Sequence, residues 1–437
     1  MTIPQWTGLE TALSGLRAMQ AAIDTTSHNI ANANTPGYSR QQAVLTESNA
    51  LPIPALSNVY GTGGQLGEGV DVSTISRVRD QFLDVQYRAQ NTTTSNANTT
   101  STILQQAQTA LAEPTSKGLS AQLNAFWSAW NDLAAAPTNP AARQSVIDAG
   151  TTLANTFNTI DQQMATVQSQ TAQQYATLTA SPNGEVQSDA EQVAALNKEI
   201  TDAQNAGQTP NDLLDQRDQL LDKLSGFANV SVTTQSNGMV TVNFGDAATP
   251  LVNGTTVNWP QTLTSASGGE LGALLNLSNT TNGQIQTYRN TLNGVATQLI
   301  GAVNALQPAS PFFSGNSAAT IAVSATAGSI QTTSSGNAGA NDLALQLAGL
   351  GGGATDQSYA KFVTQIGSDV QSVQNAQQTG QSLLSAIDNQ RQSVSGVSLD
   401  EEMTNLITFQ RAYQASARVM SVIDSTISDL ISAVQAG

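Results

Sequence analysis

Large apolar side chains recur every seven residues at both ends of this 437-residue chain, and no other feature constrains its fold as strongly. Near the start, Leu9, Leu16, Ile23 and Ile30 make one row, with Ala12, Met19, Thr26 and Ala33 at the second seam position and Leu13 beside them. Near the end, Leu399, Leu406, Tyr413, Met420, Ile427 and Val434 keep the same period, and Met403, Phe409, Ile423 and Leu430 accompany them. Thr7 with Glu10, and Ser398 with Glu401, have the spacing of capping boxes ahead of each run. The ends therefore predict two amphipathic helices that pack on each other or on neighbouring chains.

The interior repeats the theme. Val146, Leu153, Ile160 and Val167 form one stripe, Val186, Val193 and Ile200 a second, Ile285, Leu292, Leu299 and Leu306 a third, and Val363, Val370 and Leu384 mark a fourth. Pro137 to Pro140 breaks an earlier helix that carries Phe126, Trp127 and Trp130, and Ser181-Pro182-Asn183-Gly184 is a turn. These patterns predict a mainly α, elongated, multi-domain rod with a central antiparallel helical bundle. Residues 229–244 alternate instead, around Asn237-Gly238, and read as a hairpin; Asn253-Gly254 marks a second, and Ile321 and Val323 alternate again. The expected division is a terminal coiled-coil domain (1–37 and 397–437), a helical bundle (38–228, 268–308 and 341–396) and a small inserted β-rich outer module (229–267 and 309–340). A short β-prone stretch near 41–76, with the Gly61–Gly69 loop, is grouped with the bundle.

Composition narrows function by exclusion. The chain has no Cys, so thiolate nucleophiles, disulfides and Cys-based metal centres are excluded, and His28 alone cannot supply a site of two or three imidazoles. A net charge of −16 argues against nucleic acid, whose phosphates need a basic face. No apolar run approaches the ~18–20 residues of a membrane span. The start does not read as a cleavable signal peptide, because Arg17 is its first basic residue and Glu10 interrupts the apolar stretch.

Candidate chemistry is thin. His28 lies between Ser27 and Asn29 on a polar helix position, and no Gly-x-Ser-x-Gly elbow accompanies it, so a structural role is the better reading. Gly349–Ala354 matches a degenerate dinucleotide pattern but follows a helical stretch rather than a strand, and reads as a hinge. Ser358-Tyr359-Ala360-Lys361 matches Ser-x-x-Lys without a companion motif. Asp212, Asp215, Asp218 and Asp222 share one helix face; with Arg217 and Lys223 alongside, they read as a solvated, ion-paired surface rather than a metal cluster. Phe126, Trp127 and Trp130 read as core. Tyr38 follows Asn34-Thr35-Pro36-Gly37, a helix stop and tight turn, and is placed to clamp that loop. No enzyme, metal or cofactor is expected.

Two strings carry a resemblance. Ser14-Gly15-Leu16 with His28-Asn29-Ile30-Ala31-Asn32-Ala33-Asn34-Thr35-Pro36-Gly37-Tyr38 resembles the N-terminal signature of the flagellar rod, hook and hook-associated proteins. Gly396–Met403 and Phe409–Ala417 resemble the matching C-terminal signature. Tyr38-Ser39-Arg40-Gln41, Arg79–Leu83, Phe126–Leu133, Pro210–Asp218 and Gly268–Leu275 look like the hook-associated branch. The matches weaken over 229–262 and 310–345, and the chain is short for the family, which implies a trimmed outer module.

The resemblance implies a structural protein of the bacterial flagellum, forming a ring at the junction of hook and filament. Its implied partners are further copies of itself, the hook protein, a second junction protein (hook-associated protein 3), and an export chaperone and the type III export apparatus. It implies an extracellular location reached without signal cleavage. Assembly would use Leu9, Leu13, Leu16, Met19, Ile23 and Ile30 of the first helix and a signature loop of Asn29, Asn32, Asn34, Thr35, Pro36, Gly37 and Tyr38. Leu399, Met403, Leu406, Phe409, Tyr413, Met420, Ile423, Ile427 and Leu430 of the last helix would serve assembly and chaperone binding. A two-helix arm is marginal alone, since helices draw their stability from packing; both ends are therefore expected to order on assembly, with an ordinary intramolecular coiled coil as the alternative. The rival functions are another axial protein, such as a short flagellin or a hook or rod component, and an enzyme carried on an axial scaffold.

Overall fold

The computed structural model describes residues 4–53, 64–337 and 339–435. The terminal helices are α1 (Pro4–Asn32) and α11 (Leu399–Gln435), and they pack antiparallel on each other. Between them run α2 (Gln81–Ala110), α3 (Leu119–Ala135), α4 (Pro140–Leu178), α5 (Glu185–Asn205), α6 (Asn211–Phe227), α7 (Gly269–Ser278), α8 (Gln284–Ala305), α9 (Asp342–Ala348) and α10 (Ala354–Ser395). At 1.5 Å per residue, the 42 residues of α10 span about 63 Å, which makes the body a rod. Helix α10 lies along α2, and α4 runs past α3, α7 and α8.

The heptad stripes are the body's core. Val146, Leu153, Ile160, Val167, Val186, Val193, Ile200, Ile285, Leu292 and Leu299 are all buried. Phe126 and Trp130 meet Phe312 with ring centroids 5.5 and 5.6 Å apart, so the aromatic helix packs inward as its spacing predicts. Asn139 caps α4, its side chain accepting from the Ala141 amide at 2.9 Å, with Pro140 at the first helical position.

The strands form separate small antiparallel sheets. β1 (Gln41–Glu47) pairs with β4 (Val70–Arg77), and β2 (Leu51–Ile53) with β3 (Gly64–Leu66). The β1–β4 hairpin packs on α1, so it groups with the terminal helices rather than with the bundle. Part of the Gly61–Gly69 loop lies outside the described residues. β5 (Val230–Thr234), β6 (Val240–Phe244), β7 (Val252–Asn253) and β8 (Thr256–Val257) form a four-stranded meander turning at Asn237-Gly238 and at Gly254-Thr255, while β9 (Phe313–Ser314) pairs with β10 (Ala322–Val323) in a separate two-stranded sheet. The two β stretches expected to share one outer module thus lie in different sheets. Each is tied to a different part of the body. Asn197 of α5 donates to the Val240 and Gly254 carbonyls, whereas Asn304 of α8 donates to that of Phe313.

Helix starts differ in detail from the spacing. α1 begins at Pro4, so Thr7 sits inside the helix rather than at its cap. At the other end, the Ser398 hydroxyl lies 3.5 Å from the Glu401 amide, but the Glu401 carboxylate turns to Arg40 Nη1 at 3.3 Å instead of closing a capping box.

Candidate assembly interface

Small residues of α1 face α11. A methyl group at Gly8 would lie 3.4 Å from Ile423 Cδ1, and one at Gly15 would lie 3.2 Å from the Ser416 hydroxyl oxygen. Ala22 and Phe409 line one groove, and Asn29 donates to Glu402 at 3.0 Å. Each seven-residue step along α1 (8, 15, 22, 29) is therefore answered by a seven-residue step back along α11 (423, 416, 409, 402). This in-register antiparallel seam sits one position before the predicted Leu9–Leu16–Ile23–Ile30 row.

On α1 the large residues flank the seam rather than filling it; on α11 Phe409 and Ile423 lie in it. Leu9, Leu16, Met19, Ile23 and Ile30 are half-buried, and Leu13 is 37% exposed. On α11, Leu406, Phe409, Met420, Ile423 and Ile427 are half-buried, while Leu399, Tyr413 and Leu430 are exposed and Met403 is 55% exposed. Ile407, Val419, Val422 (61% exposed) and Ile431 add apolar surface that the heptad assignment does not include. The side chain of Val434 lies outside the described residues.

The signature loop is a hydrogen-bonded node centred on Asn29, which is 1% exposed. Its Nδ2 donates to the Gln41 carbonyl at 2.8 Å as well as to Glu402 Oε2, and its Oδ1 accepts from the Gln41 amide at 2.9 Å and the Tyr38 hydroxyl at 2.7 Å. Tyr38 thus clamps the loop to its own helix. Burial, with the Asp212, Asp215 and Glu402 carboxylates nearby, pushes its phenol above the ordinary value and keeps it a donor. Asn32 donates to the His28 carbonyl at 3.1 Å and accepts from Thr35 Oγ1 at 3.1 Å, closing the helix end. Gly37 has φ 76°, and a Cβ there would collide with the side chain of Gln219, whose Nε2 donates to the Pro36 carbonyl at 2.9 Å. Asn34 is exposed.

The residues of Tyr38-Ser39-Arg40-Gln41 fasten the loop to several elements: Tyr38 to α1, Ser39 and Gln41 to α6, and Arg40 to α10 and α11. Ser39 donates through its amide and hydroxyl to Asp215 at 2.9 and 2.7 Å. Arg40 Nε donates to Glu402 at 2.7 Å, and the Arg40 amide donates to the Ser395 carbonyl at 2.8 Å. Gln41 Nε2 donates to Asp212 at 2.9 Å. Glu402 is only 2% exposed, so its charge is held by Arg40 and Asn29 together.

The carboxylate row of α6 is not the solvated face its local spacing predicts. Arg77 Nη1 reaches Asp215 and Asp218 at 2.7 and 2.9 Å; Arg79 reaches Asp218 at 3.1 Å and Asp84 at 2.7 Å; Arg88 reaches Asp218 and Asp222 at 3.1 and 2.7 Å. Arg391 of α10 joins Asp84 and Asp222 at 3.1 and 2.8 Å while stacking on Tyr87, 4.2 Å from its ring centre. These arginines arrive from other elements; Arg217, the sequence neighbour, points away to Asn197 and the Gly238 carbonyl. Asp212 lies at the rim, 3.5 Å from His28 Nε2. Among the described residues no group of three or more His, Asp or Glu is placed to hold a metal ion, and no helix is long and apolar enough to cross a membrane.

Comparison with known proteins decides the family. Residues 104–266 match the flagellar hook-associated protein FlgK helical domain, residues 388–433 the C-terminal region of the flagellar basal body rod FlgEFG proteins, and residues 9–38 the flagella basal body rod protein. The flagellar hook-associated protein 1 of Bacillus subtilis (strain 168) is 30% identical over 505 residues, covering 98% of this chain and 98% of that protein. The chain belongs to the flagellar hook-associated protein 1 family. The family member of Salmonella typhimurium is 35% identical over 247 residues, 56% of this chain and 42% of its own. A solved structure of the flagellar hook junction protein FlgK from Burkholderia pseudomallei is 25% identical with a TM-score of 0.45, covering 52% of this chain and 44% of that one. The Bacillus alignment exceeds the 437 residues of this chain, so that hook-associated protein 1 carries segments absent here. As a hook-associated protein 1 family member, the chain is a structural component of the bacterial flagellum, associated with other axial proteins.

Proposed function

We propose that this chain is a non-catalytic subunit that joins hook to filament, assembling as a ring on the distal hook through α1 and α11. Its neighbours in that reading are further copies of itself, the hook protein and a second junction protein, hook-associated protein 3. An export chaperone covers α11 before passage through the type III apparatus, without signal cleavage. The observation that carries the proposal is the distribution of apolar area on the terminal pair. The two helices touch at Gly8, Gly15 and Asn29, while Leu13, Met403, Ile407, Val419 and Val422 remain exposed. Helix α1 gives its small residues to the seam, and a pair that leaves these large side chains exposed draws the rest of its packing from other subunits. The ends therefore order on assembly, so that ordering opposes polymerisation elsewhere.

Amide hydrogen exchange on the full chain, free and mixed with isolated hook fragments, tests this. Fast exchange over residues 4–32 and 399–435 in the free chain, slowed when hooks are added, is the expected result. Protection already complete in the free chain and unchanged by hooks would overturn it.

A further inference from the structure

The apolar core of the body runs from Ile103 to Val370 and, among the described residues, includes no side chain of α1, β1, β4 or α11. What joins the terminal arm (the helix pair, signature loop and β1–β4 hairpin) to the body across α6 is polar. Gln41 reaches Asp212, Asn211 Nδ2 donates to the Ile75 carbonyl at 2.7 Å, Thr74 and Thr209 hydroxyls lie 3.2 Å apart, and His28 faces Asp212.

The carboxylates in this joint are not equivalent. Asp218 is shared between Arg77 of the arm, Arg79 at the chain crossing and Arg88 of the body; Asp84 between Arg79 and Arg391; Asp222 pairs with Arg88 and Arg391, both of the body. If the arm moved away, each of these three would retain a body arginine. Glu402 would likewise leave with Arg40, its own arm's cation. Asp215 differs. Its three hydrogen bonds all come from the arm, from the Ser39 amide and hydroxyl and from Arg77 at 2.7 Å; its other cation, Arg79 at 3.5 Å, sits at the chain crossing and is held by Asp84. Among the described residues of this joint, separation strips only this buried carboxylate of every hydrogen bond the structure gives it and leaves it no arginine of the body. A buried charge so stripped is costly unless water reaches it, so Asp215 fixes where the arm sits, while its neighbours stay neutralised in either position.

We propose that the joint is a latch pinned by Asp215, from which the hairpin, with the helix pair it carries, can release while the body stays folded and internally charge-paired. The two chain crossings, residues 78–80 and 396–398, form the pivot, tied by the Arg40 amide to Ser395 and the Val78 amide to the Arg40 carbonyl at 2.8 Å each. The inference goes beyond assembly through the helix pair and stands whether or not that pair is ordered in the free chain, because Ser39 and Arg77 belong to the loop and the hairpin.

The absence of native Cys makes spin labelling site-specific. Cysteines replacing the exposed Glu47 on the hairpin and Thr102 on α2 report the arm–body distance, and a Thr102–Gln144 pair reports the body alone. The expected result is a single narrow arm–body distance in the parent chain, which broadens at least about twofold in Asp215→Ala with the body pair unchanged. Asp222→Asn, which touches only body arginines, should leave the arm–body distance narrow. Arg77→Gln, which removes the cation from the arm side, should broaden it as Asp215→Ala does. A distribution that stays narrow in both Asp215→Ala and Arg77→Gln overturns the latch. So does broadening of the body pair together with the arm pair, which would make arm and body one cooperative unit.

Discussion

Asn29 and Glu402, 373 positions apart in the chain, meet at 3.0 Å in a pocket where both are almost fully buried. The contact sets the register of the two terminal helices, because Asn29 spends its other hydrogen bonds on Gln41 and Tyr38 and so cannot accept another partner by sliding. Removing its amide strands the Gln41 amide and leaves the buried Glu402 carboxylate to Arg40 without its second donor. Asn29→Ala should cost on the order of 3 kcal/mol of pairing stability. On subunits bound to hook fragments, trypsin cleavage at the exposed Arg17 and Arg411 should rise at least about tenfold. Unchanged cleavage would mean that the node is not what holds the pair.

The two seam glycines should respond differently to the same change. At Gly8 an added methyl finds ordinary contact with Ile423, so Gly8→Ala should stabilise α1 by about 0.5–1 kcal/mol through helix propensity. At Gly15 the methyl presses on Ser416 at 3.2 Å, which offsets that gain, and Gly15→Leu should push the helices apart at a cost of about 1–3 kcal/mol. Ser416→Gly should recover part of the Gly15→Leu loss. A double variant no better than the single would refute the assigned register.

Much of this architecture is legible in the chain because burial follows period. Val146, Leu153, Ile160 and Val167 share one helix face, and all four are core. The helix seam is less legible: Gly8, Gly15 and Ala22 also repeat every seven residues, but small side chains carry no hydrophobic signal, so the larger Leu9–Ile30 row masks the row that makes contact. The carboxylates of α6 mislead for another reason. Viewed locally, Asp212, Asp215, Asp218 and Asp222 resemble a solvated face; their partners Arg77, Arg79, Arg88 and Arg391 lie more than a hundred positions away, beyond any helical spacing rule. The β stretches fail in the same way, since alternation identifies a strand but not the helix it docks on.

The aromatic cluster of the body should be energetically separate from the terminal arm. Phe126 packs against Trp127, Trp130, Phe312 and Phe313, with centroids between 5.0 and 6.2 Å. Phe126→Ala should therefore cost about 3–5 kcal/mol in urea unfolding of the body. Exchange protection of α1 and α11 in hook-bound subunits should be unaffected at temperatures where the body remains folded. A loss of protection in both regions would show that the arm depends on this core, to which it contributes no side chain among the described residues.

The last prediction concerns acid. Burial alone would raise the Asp218 carboxyl, but the cations of Arg79, Arg77 and Arg88 outweigh it and hold the group below its ordinary value of 3.8. A carboxylate depressed in the folded state binds its proton more readily when unfolded. Its stabilising contribution is therefore fully present above the unfolded value and is lost as pH falls through the lower, folded one. Asp218→Asn cannot titrate and has no such contribution at any pH. Urea midpoints measured from roughly pH 6 to pH 3 should show the parent chain more stable than Asp218→Asn at the upper end, with the gap closing below about pH 4. A gap that stays constant across the range would mean that the arginines contribute shape to this site but not charge.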